Sequence, residues 1–273
     1  MTFFKLVSHD LRCGLLKRSY WVTILVAVLP LVQYFKILGG CGLSGSLGDC
    51  LLYLFRGEMA LSFLSAGNQH IQIPVLWILL MIFCLILHTD YFLEDLTSCG
   101  QQIVIRSQRR VRWLLSKCTW SVAGGILYYF YILICAIGGC LFTEQALSFS
   151  MSEPIAEGIL KMSDVQPDQV VFTVVIKPLV AMVSMNLLQM MLQILVRPIP
   201  GFMICFALLL CTLYHPALCF PASGAIALRN ICLPMTQTES WVPVFSAVLT
   251  SVACIIISLW RFSHMDLLRK EDN

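Results

Sequence analysis

Six stretches of this chain are long, apolar and almost uncharged, at residues 21–38, 74–89, 114–142, 170–196, 202–220 and 242–260. None holds more than one Lys, Arg, Asp or Glu. A bilayer core of about 30 Å is crossed by about 20 helical residues, because backbone polar groups in hydrocarbon must pair within their own segment. The stretch 114–142 is long enough to tilt or to reach past the hydrocarbon. Composition agrees: 59% of the 273 residues are hydrophobic and 12% are charged, about half the charged share of a soluble domain. A water-soluble fold would leave large apolar patches bare. A soluble enzyme, a nucleic-acid-binding domain and a disordered chain are therefore excluded. No period-2 alternation marks a β-barrel. The expected fold is all-α: one polytopic transmembrane domain of six helices.

Charge sets the expected orientation. With the N-terminus in the cytoplasm, six spans return the C-terminus there. Thirteen of the eighteen Lys and Arg then lie inside: Lys5, Arg12, Lys17, Arg18, Arg106, Arg109, Arg110, Arg112, Lys117, Arg197, Arg261, Arg269 and Lys270. Lys36, Arg56, Lys161 and Arg229 fall outside, and Lys177 falls within the fourth span. The sequence thus predicts a multi-pass protein of the cell membrane with both termini cytoplasmic. No cleavable signal sequence is apparent. In residues 1–20, Phe4, Val7, Leu11 and Leu15 recur at helical spacing, with Lys5, Arg12 and Lys17 largely off that stripe. This reads as an amphipathic helix in the inner interface.

The outer segments are acidic, with Asp49, Glu58, Glu144, Glu153, Glu157, Asp164, Asp168 and Glu239; solvation accounts for them. Residues 39–71 open glycine-rich and then turn helical in pattern, with Arg56 and Glu58 arguing against a further span. Residues 217–240 are broken by Pro221, Gly224 and Pro234, yet apolar. A segment that dips into the outer leaflet and returns fits that composition. Of the thirteen cysteines, those inside spans act as small apolar residues. Cys41 and Cys50 could pair, as could Cys219 and Cys232, and the odd count leaves redox state open.

The cytoplasmic loop at 90–113 is the most informative stretch. It opens acidic and apolar (Asp90, Phe92, Leu93, Glu94, Asp95, Leu96), passes Gly100, Gln101 and Gln102, and closes basic. Arg106, Arg109, Arg110, Arg112 and Lys117 are placed to meet lipid phosphates, at about 1 kcal/mol each. Lipid anchoring does not explain the acidic and apolar half, which has the character of a docking surface.

Within that stretch, Asp95-Leu96, Gly100-Gln101-Gln102-Ile103, Ile105-Arg106-Ser107 and Arg112-Trp113-Leu114-Leu115-Ser116-Lys117 resemble the bacterial ATP-binding-cassette type-2 permeases. The likeness is to the small permeases that pair with a separate ATPase in peptide, bacteriocin or drug export and immunity. The resemblance implies a coupling helix in which Phe92, Leu93, Glu94, Asp95, Leu96, Gly100, Gln101 and Gln102 contact the ATPase. It also implies that residues 221–233 correspond to a re-entrant element between the last two spans. The implied partners are two ATPase subunits, a second copy or a related permease, and membrane lipid, with no nucleic acid. The implied cofactors, ATP and magnesium, would sit on the ATPase and none on this chain.

No Gly-x-x-x-x-Gly-Lys-Ser/Thr loop, His-Glu-x-x-His or Gly-x-Ser-x-Gly occurs in the sequence, so the chain is expected to be non-catalytic. His88 and Asp90 stand together at the inner end of the second span, where an interfacial polar pair is the simplest reading. The fourth span carries Lys177, whose stem could snorkel outward. It also carries Asn186, Gln189 and Gln193 on one helical face among Met182, Met185, Met190 and Met191. Interhelical hydrogen bonding is the ordinary use of such amides; a translocation path is the sharper one. The sequence reading is thus an exporter permease for peptide, lipid-like or drug-like cargo. A lipid-modifying membrane enzyme and a non-transporting immunity or sensor subunit are the alternatives.

Overall fold

The computed structural model describes residues 3–15, 19–57, 74–97, 110–160, 167–215, 217–232 and 239–264, and over these the chain is helical with no strand. The principal helices are α1 (Phe3–Leu15), α2 (Ser19–Cys41), α3 (Leu47–Leu54), α4 (Val75–Thr97) and α5 (Arg110–Phe142). They continue with α6 (Lys177–Leu195), α7 (Pro198–Tyr214), α8 (Ala227–Cys232) and α9 (Val242–His264). Four helices are long and apolar enough to cross a membrane: Trp21–Cys41, Val111–Phe142, Gln169–Leu195 and Val242–His264. The apolar parts Val75–Thr89 and Pro198–Tyr214 are shorter. The expectation of six full-length spans is thus met by four. The stretch predicted at 202–220 is shifted as well as short. Its helix starts at Pro198, where a proline costs no hydrogen bond, and ends at Tyr214. His215 is extended, at φ −103° and ψ 133°, as a residue before proline prefers, and Pro216 follows.

The outward faces are apolar in helical register. Trp241, which ends the turn before α9, and Phe245, Leu249, Val252, Ile256 and Trp260 on α9 are all exposed at spacings of three and four. Trp241 and Trp260 stand 19 residues apart, about 28 Å along a helix, close to the thickness of a bilayer core and with an aromatic at each boundary. These are lipid-facing features.

The candidate span Gln169–Leu195 is the hub. It is the most buried of the four, and α6 packs on α4, α5, α7 and α9. A π-helical turn at Phe172–Ile176 precedes α6, and Tyr129 Oη of α5 donates to the Val174 carbonyl in that turn at 2.7 Å. Gly125 of α5 lets the two helices approach here, since a Cβ would lie 2.9 Å from Nδ2 of Asn186.

The short elements between spans are buried and polar in detail. Ser46 caps α3: its Oγ accepts from Asp49 N–H at 3.1 Å, and Asp49 Oδ2 accepts from Ser46 N–H at 3.0 Å. Asp49 Oδ1 also accepts from Ser152 N–H at 3.1 Å. Asp49 is therefore a fully buried cap, not the solvated outer charge its loop position suggests. Residues 217–232 fold onto the turn after α3 and onto the end of α7. The first N–H groups of α8, on Ala227 and Leu228, donate to the Phe55 and Arg56 carbonyls at 2.8 and 2.9 Å. Gly57 makes the turn below them with φ +64°, where a Cβ would also strike Ile226. Arg229 donates to the carbonyls of Thr212, Leu213 and His215 at 2.8–3.0 Å, closing the C-terminus of α7. Burial pushes its guanidinium down to about 10, so it stays charged at neutral pH.

Of the open cysteine pairings, Cys41 with Cys50 is not formed, and the side chain of Cys232 lies outside the described residues. Cys41 is exposed while Cys50 is buried, and both are free thiols, as is Cys219. The α3 helix turns Cys50 inward, where a hydrogen bond with Cys140 and burial push its thiol well above the ordinary range. Replacing Arg229 by Met would strand three carbonyls at the end of α7. The expected loss is about 3 kcal/mol, read as a lowered melting temperature of the detergent-solubilised protein.

Candidate functional site

Helix α1 carries two faces. Leu6, Asp10 and Gly14, four residues apart, are buried against α5, while Phe4 is 81% exposed. The amphipathic helix is present, but the stripe read from Phe4, Val7 and Leu11 is not the face that packs on the bundle. That role belongs to a face with an aspartate at its centre. Lys117 Nζ donates to Asp10 Oδ1 at 2.7 Å, and Ser116 Oγ donates to Asp10 Oδ2. The Lys117 ammonium also lies 5.2 Å from the Trp113 ring centroid. Trp113 in turn stacks on Phe262 of α9, with centroids 5.3 Å apart and planes 16° from parallel. One turn on, Trp120 fills the space left by Gly14, where a Cβ would collide with its indole. The same ring lies 5.1 Å from His88 of α4. A buried ion pair between α1 and α5, with ring contacts from α5 to α4 and to α9, thus ties these four helices at one end of the bundle.

This corrects the placement of Lys117, expected among the lipid-facing cations. It is fully buried, because its position on α5 faces Asp10 and its charge is spent there. Arg112 is exposed, as are Lys5, Arg12 and Arg261 on neighbouring elements. Only the backbone of Arg110 is described, and Arg106 and Arg109 lie outside the described residues. Helix α4 runs past its apolar part to Thr97. Phe92, Leu93, Glu94, Asp95 and Leu96 therefore occupy a helical extension of eight residues, 90–97, of which the backbone alone is described. Gly100, Gln101 and Gln102 lie outside the described residues.

Above the clamp runs a neutral polar column between α4 and α6. His88 is buried rather than interfacial, and the side chain of Asp90 lies outside the described residues. Its Nδ1 is 2.9 Å from the Cys84 carbonyl and its Nε2 3.3 Å from Asn186 Nδ2. This pattern assigns the proton to Nδ1 and leaves Nε2 as acceptor. Asn186 Oδ1 accepts from Cys84 Sγ at 3.5 Å. Gln189 Nε2 donates to the Leu85 carbonyl at 3.0 Å and to Thr89 Oγ1 at 2.6 Å. Gln189 Oε1 and both amide atoms of Gln193 are buried with no hydrogen-bond partner. The predicted stripe is real, and its first two members bond to α4. Gln193 is left over.

Lys177 stands apart from this column, at the opposite end of α6. It does not snorkel to an interface. It is 1% exposed, donates to Asn230 Oδ1 and Ser240 Oγ at 3.3 Å each, and lies 5.2 Å from the Phe172 ring. Asn230 is itself fixed by donating to the carbonyls of Ser223, Gly224 and Ile226.

Residues 24–268 match the family described as protein of unknown function, DUF2705. The chain belongs to that family. The match takes in Lys117, His88 and the amide stripe, and it begins beyond Asp10. No curated protein and no solved structure matches the chain.

Sequence reasoning missed Asp10. The signal was a lone acid between Leu6 and Gly14 in an otherwise basic leader. Replacing Lys117 by Met would leave the Asp10 carboxylate buried and unpaired, at an expected cost of about 3–5 kcal/mol. Adding Asp10→Leu should recover most of that loss, and a double-mutant cycle on thermal unfolding reads the coupling.

Proposed function

We propose that this chain is the membrane-embedded permease subunit of an ATP-driven exporter for peptide, lipid-like or drug-like amphipathic cargo. In this reading the four long helices cross the bilayer together with the shorter α4 and α7, six spans in all, with both termini cytoplasmic. Two ATPase subunits bind ATP and magnesium and dock beneath a pair of permeases, either two copies or this chain with a relative. The chain itself performs no covalent chemistry.

One observation carries the reading. Helix α4 extends eight residues, about 12 Å, beyond its apolar part, and this extension bears Phe92, Leu93, Glu94, Asp95 and Leu96. It leaves the bundle at the clamped end, where His88 of α4 meets Trp120 and where α1 and α9 are tied to α5. A push on that extension would pass into four packed helices at once rather than into a loose loop. Exposed Lys5, Arg12, Arg112 and Arg261 near the same end suit a cytoplasmic surface against anionic lipid.

The amide column supports a place for the cargo path. Gln193 and one side of Gln189 keep polar atoms unspent within a span, a costly arrangement in hydrocarbon unless something else meets them. Water or a polar group of the cargo has the right chemistry.

Two experiments test the reading. Asp95→Lys with Leu96→Asp should abolish co-purification of an ATPase encoded beside this chain while leaving membrane insertion intact; an unchanged pull-down would refute the docking surface. Asn186→Leu with Gln189→Leu should lower vesicle transport by the reconstituted complex more than it lowers the yield of folded protein. Equal losses would assign the column to packing alone.

A further inference from the structure

A groove of about 540 Å³ lies between α2 and α5, lined by Val28, Val32, Phe35, Lys36, Gly138 and Phe142 among others. Its origin is legible in the helical register. On α2 the outward stripe runs Trp21, Leu25, Val28, Val32, all exposed, and its next member is Lys36, also exposed. On α5 the outward stripe runs Phe130, Ile134, then Gly138, then Phe142. Gly138 is the step at which a side chain is missing, and a Cβ there would meet nothing within 4 Å. The neighbouring Gly139 does the opposite work, letting Phe35 pack directly on the α5 backbone. One glycine closes the two helices and the other leaves a trough beside the seam.

The trough follows eight residues of α2 from Val28 to Lys36, about 12 Å, and its walls are almost wholly apolar. Lys36 stands at one end with no hydrogen bond or ion pair among the described residues. Fifteen residues, about 22 Å, separate it from Trp21 at the other end of α2. With Trp21 at one boundary of a core about 30 Å thick, the ammonium is within a snorkelling stem's reach of the opposite boundary. A cation at that boundary, with no partner among the described residues, suits an anionic headgroup on the lipid side.

We propose that this groove is a specific site for one phospholipid, an acyl chain lying over Gly138 and the anionic headgroup phosphate paired with Lys36. The volume falls within the range of small-ligand sites. A second copy of the chain packed here about a two-fold axis would bring its own Lys36 to face this one, placing like charges together in a low-dielectric setting. A lipid phosphate supplies the complementary charge instead. The inference needs only the membrane-facing register of α2 and α5, so it stands or falls separately from the exporter reading.

The test is native mass spectrometry of the detergent-solubilised full chain titrated with phosphatidylglycerol. One lipid is expected to bind more tightly than the rest. Lys36→Gln should weaken that binding about fivefold, the worth of one surface cation against an anionic headgroup, and Lys36→Arg should keep it. Gly138→Leu fills open space on a helix and should remove the tight lipid without lowering the melting temperature. Retention of the lipid by both Lys36→Gln and Gly138→Leu would overturn the site. A photoreactive phenylalanine analogue in place of Phe142 gives an independent readout in membranes. A lipid adduct supports the proposal, and a crosslink to a second copy overturns it.

Discussion

A buried polar atom has no water to bond to, and most of the detail in this chain follows from that constraint. Arg229 is tolerated because three carbonyls at the end of α7 need donors. Lys177 is tolerated because Asn230 and Ser240 turn oxygens toward it. Lys117 is tolerated because α1 delivers an aspartate to it. Each buried cation also fixes a neighbouring element: α8 to α7, the fourth span to α8, and α1 to α5. Specificity of assembly is bought with desolvation, and an apolar replacement of the whole pair would be less specific about where α1 sits.

The two ends of the bundle are built on different principles. At the end bearing α3 and α8, order comes from backbone groups: capping at Ser46, carbonyls of Phe55 and Arg56 receiving the start of α8, and Arg229 closing α7. At the end bearing α1, order comes from side chains, with Trp113, Trp120 and Phe262 surrounding the Asp10–Lys117 pair. Aromatic stacking around a desolvated ion pair makes a stiff joint. Stiffness at that end is what a subunit driven from outside would require, since a soft base would absorb motion instead of passing it to the spans. The amide column between α4 and α6 sits directly above this base, with polar atoms of Gln189 and Gln193 still unspent.

Much of this was legible in the sequence. Apolar runs located the four helices long enough to cross a core about 30 Å thick, since a helix rises 1.5 Å per residue, while the runs at 74–89 and 202–220 correspond to shorter apolar helices. Periodicity put Asn186, Gln189 and Gln193 on one face, and local pattern located a helix in the leader and the irregular segment near 217–240. Chain ends of helices were less legible: α7 stops at Tyr214 because of the backbone preference at His215, not because hydropathy falls.

What the sequence by itself determined is an all-helical, strongly apolar chain and the face of α6 that carries the amides, because both depend on local spacing. Tertiary structure alone decided which polar residues meet. Asp10 and Lys117 are 107 positions apart, and Lys177 and Asn230 are 53 apart. No local rule connects such pairs; each charge is stable only once a distant segment has folded against it. The same holds for Gly138 and Gly139, alike in sequence, where the neighbouring α2 makes one a contact and the other a trough.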